Sequence, residues 1–283
     1  MKRPPFFYWF TVPAGVLALA FLASMAAIIQ YSFRKYIPGS LDVGPVTLEN
    51  FERLAHPLYF NVYLDTLLLS LYTSVFTLLL GYPLAYVLVR ARSGWIKSTV
   101  LIISIVPLFT GEIVRTYAWL NVLGNNGFIN SLLLGTGLLE RPVQMMFTPF
   151  GVTVALVHFS MPIMVVILAA AISHIDTAYE KAAASLSANP IKVFWKITLP
   201  LSMPGIVSGF VTIFAWTLSA FATPQLIGGG KVNMISNIVY QLGFASFNFP
   251  FAAVLSLLAV VLTIVLLLLI HISTRRVEEV SLH

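Results

Sequence analysis

The sequence predicts an all-α membrane protein with six transmembrane helices, and three observations carry that prediction. Only 9% of the 283 residues are charged while 59% are hydrophobic, with a mean hydropathy of +0.92. A soluble domain usually carries about 25% charged residues, so this chain has too little charge to cover a water-facing surface. Six apolar runs each reach the ~20 residues that a spanning helix needs. The basic residues fall between those runs and favour alternate connections.

The expected spans are residues 12–33, 65–89, 98–120, 151–172, 204–226 and 251–272, within a single transmembrane domain over 1–283. The first follows a Met-Lys-Arg start that resembles a signal peptide. Its run is longer than a signal core of about 7–15 residues and no small-residue cleavage site follows, so it reads as a retained helix. The second span is expected to open with Asp65 as a cap, and Gly81 and Pro83 lie near its end. Pro107 interrupts the third and Pro162 lies inside the fourth. Prolines are tolerable there because neighbouring helices or water satisfy the freed carbonyl. In the first outer loop, Thr47 is placed to cap a short helix over Leu48-Glu49-Asn50-Phe51.

Orientation follows from charge. Of sixteen Lys and Arg, ten lie on one side: Lys2, Arg3, Arg90, Arg92, Lys97, Lys181, Lys192, Lys196, Arg275 and Arg276. Five lie on the other (Arg34, Lys35, Arg53, Arg141, Lys231), and Arg115 falls within a span. The positive-inside rule places the richer side, and with it both termini, in the cytoplasm. The formal net charge of +6 is thereby read as topology rather than nucleic-acid binding. With no cysteine and no histidine pair at metal-ligand spacing, the sequence points to no thiolate or histidine metal site.

The segment 176–200, DTAYEKAAASLSANPIKVFWKITLP, lies on the cytoplasmic side and is long for a simple connection. Its first part is rich in helix formers, with Asp176 or Thr177 available as N-cap. Asn189-Pro190 breaks that helix. A second piece then carries apolar residues at 191, 193, 194, 197 and 199, with Lys192 and Lys196 on one face. A short, alanine-rich helix either lies in the headgroups or offers a backbone that another protein approaches closely.

The segment resembles the Glu-Ala-Ala loop of the binding-protein-dependent type I ABC importer permeases. Ala182-Ala183 and Ile197-Thr198-Leu199-Pro200 match that family's pattern. Lys181 stands where its glutamate is expected, with Glu180 just before, and Ser187 stands at its glycine, a position serine disfavours if φ is positive. The resemblance implies a six-helix permease fold and a coupling helix made from Glu180, Lys181, Ala182, Ala183, Ser185, Leu186, Ser187 and Ala188. That helix would dock on a cytoplasmic ATPase dimer, which binds the ATP and Mg. The resemblance also implies a second permease subunit, expected to be a different chain. A periplasmic or lipid-anchored solute-binding protein and a bacterial inner-membrane location complete the assembly. This chain carries no Walker motif and is expected to bind no cofactor and perform no catalysis itself.

Leu64-Asp65-Thr66-Leu67 with Gly81-Tyr82-Pro83-Leu84-Ala85-Tyr86 resembles the second span of the same family, and further stretches resemble its spermidine/putrescine branch: Arg115-Thr116-Tyr117-Ala118-Trp119, Gly127-Phe128-Ile129-Asn130, Met146-Phe147-Thr148-Pro149, and Phe221-Ala222-Thr223-Pro224 leading to Gly228-Gly229-Gly230. A polyamine or related amine is the solute this implies. The same machinery serves opines, aminoethylphosphonate and ferric ion, which remain alternatives. The candidate pathway residues are Glu112, Arg115, Trp119, His158 and Trp216, because ionisable groups inside spans are costly and normally face protein or water. Glu112 and Arg115 either line the pathway or neutralise each other. His158 and the aromatics either meet solute or pack. Two other classes are weighed against this one. An intramembrane enzyme lacks support, because Gly-x-Ser-x-Gly, His-Glu-x-x-His and paired intramembrane aspartates are all missing. A stand-alone secondary transporter usually shows internal repeats and more ionisable groups at membrane depth.

Overall fold

A computed structural model describes residues 6–40 and 42–281, with the side chains of 6–8, 10, 43 and 269–281 excepted. Lys2, Arg3 and the side chains of Arg275 and Arg276, which enter the charge count above, lie outside the described residues. The chain divides into two compact units, residues 1–61 with 237–264, and residues 62–236 with 265–283.

In the first unit, α1 (Phe6–Ser32) is followed by a small hairpin of β1 (Arg34–Tyr36) and β2 (Val43–Val46), which pair antiparallel, and by α2 (Glu49–Glu52). Thr47 Oγ1 accepts from the Glu49 N–H at 3.2 Å, so the hydroxyl serves the helix start from one position further out than an ordinary cap. The buried Asn50 amide donates to the carbonyls of Ser32 and Arg34 at 3.2 and 2.7 Å and so fastens α2 to the hairpin. Lys35 and Arg53 flank the Glu49 carboxylate at 3.3 and 3.1 Å. The hydrogen bond from Lys35, with the positive charges beside it, holds that carboxyl below the usual glutamate range.

The second unit is built around α7 (Pro149–Ser173), whose start is fixed by Thr148 accepting from the Gly151 N–H at 3.2 Å and by Pro149 at the first helical position. α3 (Pro57–Arg90), α4 (Gly94–Ile105), α5 (Glu112–Leu123), α6 (Phe128–Gly135), α8 (Thr177–Ser185), α9 (Pro190–Val193), α10 (Leu199–Leu201), α11 (Met203–Leu218) and α12 (Ala222–Ile227) accompany it. α13 (Ile235–Tyr240) and α14 (Phe249–Ser281) come next in the chain, with residues 237–264 belonging to the first unit. One cluster, with Leu123, Val152, Leu156, Ile227 and Met234 at its centre, packs α5, α7 and α12 together. A second, around Ala85, Met164, Leu168, Ile172 and Ile213, joins α3, α7 and α11. Small residues let these helices approach: a Cβ on Gly205 would overlap that of Ala171, and one on Gly209 would lie 2.7 Å from the Met164 sulfur.

Among the described residues, α1, α3, α7 and α14 are each long and apolar enough to cross a membrane. The count rises to six if two bent pairs are each taken as one span. Breaks in the helices correct two expectations. The expected span 98–120 is helical only to Ile105; Pro107 sits in a 3₁₀ turn (Val106–Phe109), and the axis swings by 111° before α5 starts at Glu112. The expected span 204–226 stops at Leu218 and resumes as the separate α12. Pro224 has no N–H to bond the carbonyl of Ala220, which instead accepts from the Ser236 hydroxyl.

A third correction concerns Asp65. α3 begins at Pro57, two turns earlier than expected, so Asp65 is an exposed mid-helix residue and caps nothing. At 34 residues α3 is about 51 Å long, well beyond the ~30 Å hydrocarbon thickness. Along its buried polar stripe Thr66, Ser70 and Ser74 return their hydroxyls to the carbonyl four residues back, each at 2.7 Å, whereas the Thr73 and Thr77 hydroxyls are buried without a hydrogen-bond partner among the described residues. Thr66 Oγ1 also accepts from the Ile235 N–H at 3.0 Å.

Candidate functional site

Two arrangements in the second unit have functional character. The first is a cleft of about 160 Å³ between α5, α7, α11 and α12, lined by Glu112, Leu156, Phe159, Ser160, Trp216, Thr217 and residues 219–222. The 111° bend puts Glu112 in the first turn of α5, after Gly111, where a carboxylate suits the positive end of the helix. Thr223 donates to its Oε1 at 3.5 Å and shares a 3.2 Å hydrogen bond with Thr116, whose hydroxyl also reaches the Glu112 carbonyl at 2.9 Å.

Arg115 and Glu112 make no ion pair within 4.0 Å among the described residues. The Arg115 guanidinium instead lies 4.2 Å over the Phe159 ring, which meets Trp216 edge-on at 5.0 Å. Its Nε and Nη1 are buried without a hydrogen-bond partner. Trp119 and His158 engage each other: the indole N–H donates to His158 Nδ1 at 3.2 Å, and neither residue lines the cleft. Of the five pathway candidates, then, Glu112 and Trp216 line the cleft, Arg115 stacks on Phe159, and Trp119 is paired with His158. Sequence reasoning missed Phe159, Ser160, Thr116 and Thr223. Only Thr116 and Thr223 carried a signal, as members of the Arg115–Trp119 and Phe221–Pro224 stretches.

The second arrangement is the segment 176–200. Asp176 accepts from the Ala178 N–H at 2.8 Å and starts α8. Asn189 accepts from the Ile191 N–H at 3.0 Å and starts α9, with Pro190 at its first position. α9 passes through a π turn (Phe194–Thr198) into α10, and a 64° bend at Ser202 leads to α11. Val193, Phe194, Ile197 and Leu199 face inward at least in part; Ile191 and Trp195 remain exposed. Tyr82 and Tyr86 of α3 pack edge-on against Phe194 at 5.6 and 5.8 Å, and Tyr82 is hydrogen-bonded to Ser202 at 2.8 Å.

α8 ends in a Schellman arrangement. The Ala188 N–H donates to the Ala183 carbonyl at 3.2 Å and the Ser187 N–H to that of Ala184 at 2.9 Å, with Ser187 at φ 59°. Serine therefore does adopt the left-handed conformation that the family's glycine would take without strain. Replacing Ser187 by glycine relieves about 1 kcal/mol. Exchange of the Ala188 amide is expected to slow by about fivefold; unchanged or faster exchange would show that the cap is not strained. The outer face of α8 shows Lys181, Ala182 and Leu186, the last 85% exposed, while Ala183 and Glu180 are only partly accessible.

Residues 55–279 match the family of binding-protein-dependent transport system inner membrane components. The chain belongs to this family. It is 32% identical over 275 residues to the spermidine/putrescine transport system permease protein PotB of Salmonella typhimurium, covering 96% of this chain and 95% of that one. Against PotB of Escherichia coli the identity is also 32%, over 91% and 93% of the two chains. Its fold is similar to a chain of the bacterial alginate ABC transporter solved with an alginate-bound periplasmic protein, with a TM-score of 0.83 at 21% identity over 96% and 94% of the chains. The family member described here is thus a multi-pass inner-membrane permease subunit of an ATP-driven importer, with the type I fold. ATP hydrolysis belongs to a separate subunit.

Proposed function

We propose that this chain forms half of the translocation pathway for a polyamine or a related small amine. The solute is delivered by a periplasmic or lipid-anchored binding protein. The second half of the pathway comes from a different permease chain. Both termini lie in the cytoplasm, where segment 176–200 docks on an ATPase dimer that binds the ATP and Mg. The observation that carries the solute class is the carboxylate of Glu112 on the wall of a cleft shared with Trp216 and Phe159. A carboxylate attracts an ammonium group and the aromatic faces add cation–π attraction. Similarity to PotB along nearly the whole chain supports the same class.

Replacing Glu112 by glutamine keeps the shape and removes the charge. In vesicles holding the whole transporter, ATP-dependent putrescine or spermidine uptake is expected to fall about tenfold or more, because hydrogen bonds to charged groups are among the stronger ones. Unchanged uptake by a normally assembled complex would remove Glu112 from the pathway.

One observation favours a second reading, the same machinery moving a solute that also bears an anionic group, such as aminoethylphosphonate or an opine. That observation is Arg115, with two nitrogens buried and unbonded. Under this reading Arg115→Gln abolishes uptake of the anionic solute; under the first, polyamine uptake survives it.

A further inference from the structure

Glu180 stands one residue before the position at which the family's glutamate is expected, and its side chain is turned into the protein, with 18% of it exposed. One oxygen, Oε1, takes two hydrogen bonds, from Arg90 Nε at 3.2 Å and from the Thr198 hydroxyl at 3.1 Å, and lies 3.1 Å from Arg90 Nη2 in an ion pair. Arg90 is the last residue of α3, and its Nη2 also donates to the carbonyl of Ile175, just past the end of α7, at 2.9 Å. Thr198 is fully buried and closes the π turn that leads into α11. Four segments therefore meet at the Arg90–Glu180 pair: the end of α3, the residue just past α7, the first turn of α8, and the lead-in to α11. The Arg90 side chain is itself only 14% exposed, so water screens the pair weakly.

We propose that Glu180 is a positioning residue of energy coupling. Its carboxylate pins α8 to α3 and to the α11 lead-in, so that a displacement of α8 moves those helices with it. This inference rests on the docking role of segment 176–200 and deepens it. The outer face of α8 meets the ATPase, and the inner face, through one oxygen, distributes the motion. A short helix held only by its backbone connections to 175 and 186 would tilt on its own. The two hydrogen bonds and the ion pair at Oε1, together with the Tyr82–Ser202 hydrogen bond, resist that tilt.

The test uses the full transporter in vesicles and measures two quantities, ATPase retained on the permease and solute imported per ATP hydrolysed. Glu180→Gln is isosteric and removes the charge that holds Arg90. It is expected to retain the ATPase and lower solute imported per ATP about tenfold. Thr198→Val is expected to lower it less. The exchange Arg90→Glu with Glu180→Arg restores the pair in reverse and is expected to recover a substantial part of the ratio lost in Glu180→Gln.

Import per ATP unchanged in Glu180→Gln would overturn the proposal. So would loss of assembly in that variant without recovery in the exchange, since the carboxylate would then serve folding alone. Failure of the docking reading is distinguishable, because it shows as full ATPase retention when the outer face is altered at Ala182 while Glu180 is left intact.

Discussion

Replacing Gly205 by alanine is expected to destabilise the permease by about 3 kcal/mol in detergent, the upper part of the range for inserting a methyl into a well-packed interface. Gly205 lies in the first turn of α11 and faces Ala171 in the last turns of α7. The added Cβ would overlap the Cβ of Ala171, an atom fixed to the backbone, so no side-chain rotation relieves the clash and the helices must separate. At Gly209 the same addition meets the end of Met164, a flexible side chain, and is expected to cost less. Thermal or denaturant unfolding of the purified permease checks both. Ala171→Gly in the Gly205→Ala background should return part of the loss, giving a coupling term of at least about 1 kcal/mol in the double-mutant cycle. A Gly205→Ala permease as stable as the parent would contradict the close α7–α11 approach.

The second large effect concerns ATPase docking. Ala182→Trp and Leu186→Glu should each weaken retention of the ATPase by about 30-fold or more, the loss expected when a central residue of an interface is altered. Both positions are exposed, so neither change disturbs the fold of the chain itself. Ala183, the other alanine of the pair, is a poorer choice: it is half-buried and its carbonyl accepts the Ala188 N–H, so a bulky residue there would disturb the end of α8 directly. Co-elution of permease and ATPase, with thermal stability of the permease as the control, provides the measurement. Full retention with both variants would remove the outer face of α8 from the interface.

These expectations show which parts of the molecule could be read without coordinates. Helical membrane character followed from hydropathy, and the starts of α8 and α9 followed from Asp176 and from Asn189-Pro190, because capping is local chemistry. The bends were legible only as interruptions. Pro107 announces a break, but nothing local specifies that the axis turns by 111°, since that angle is set by packing on distant helices. For the same reason Glu112 and Arg115, three apart, read as a possible ion pair. Their partners proved to be Thr223, 111 residues away, and Phe159, 44 residues away.

The pairing of Trp119 with His158 was invisible for the same cause. Arg90 offered only its charge, and its bond to Glu180 joins positions 90 residues apart. At Ser187 the propensity argument weighed against positive φ, yet the two Schellman hydrogen bonds hold the residue there. Local preference was overridden by satisfaction of the helix-end carbonyls.

The central claim is that this chain conducts a small amine only when an ATPase drives it. The most direct measurement is uptake of labelled spermidine and putrescine into vesicles holding the permease pair, with the binding protein supplied outside and the ATPase dimer with ATP present or omitted. The account predicts saturable uptake that disappears when either the ATPase or ATP is left out. Uptake that persists without them, or a complete and ATP-hydrolysing transporter that ignores both amines, would contradict it.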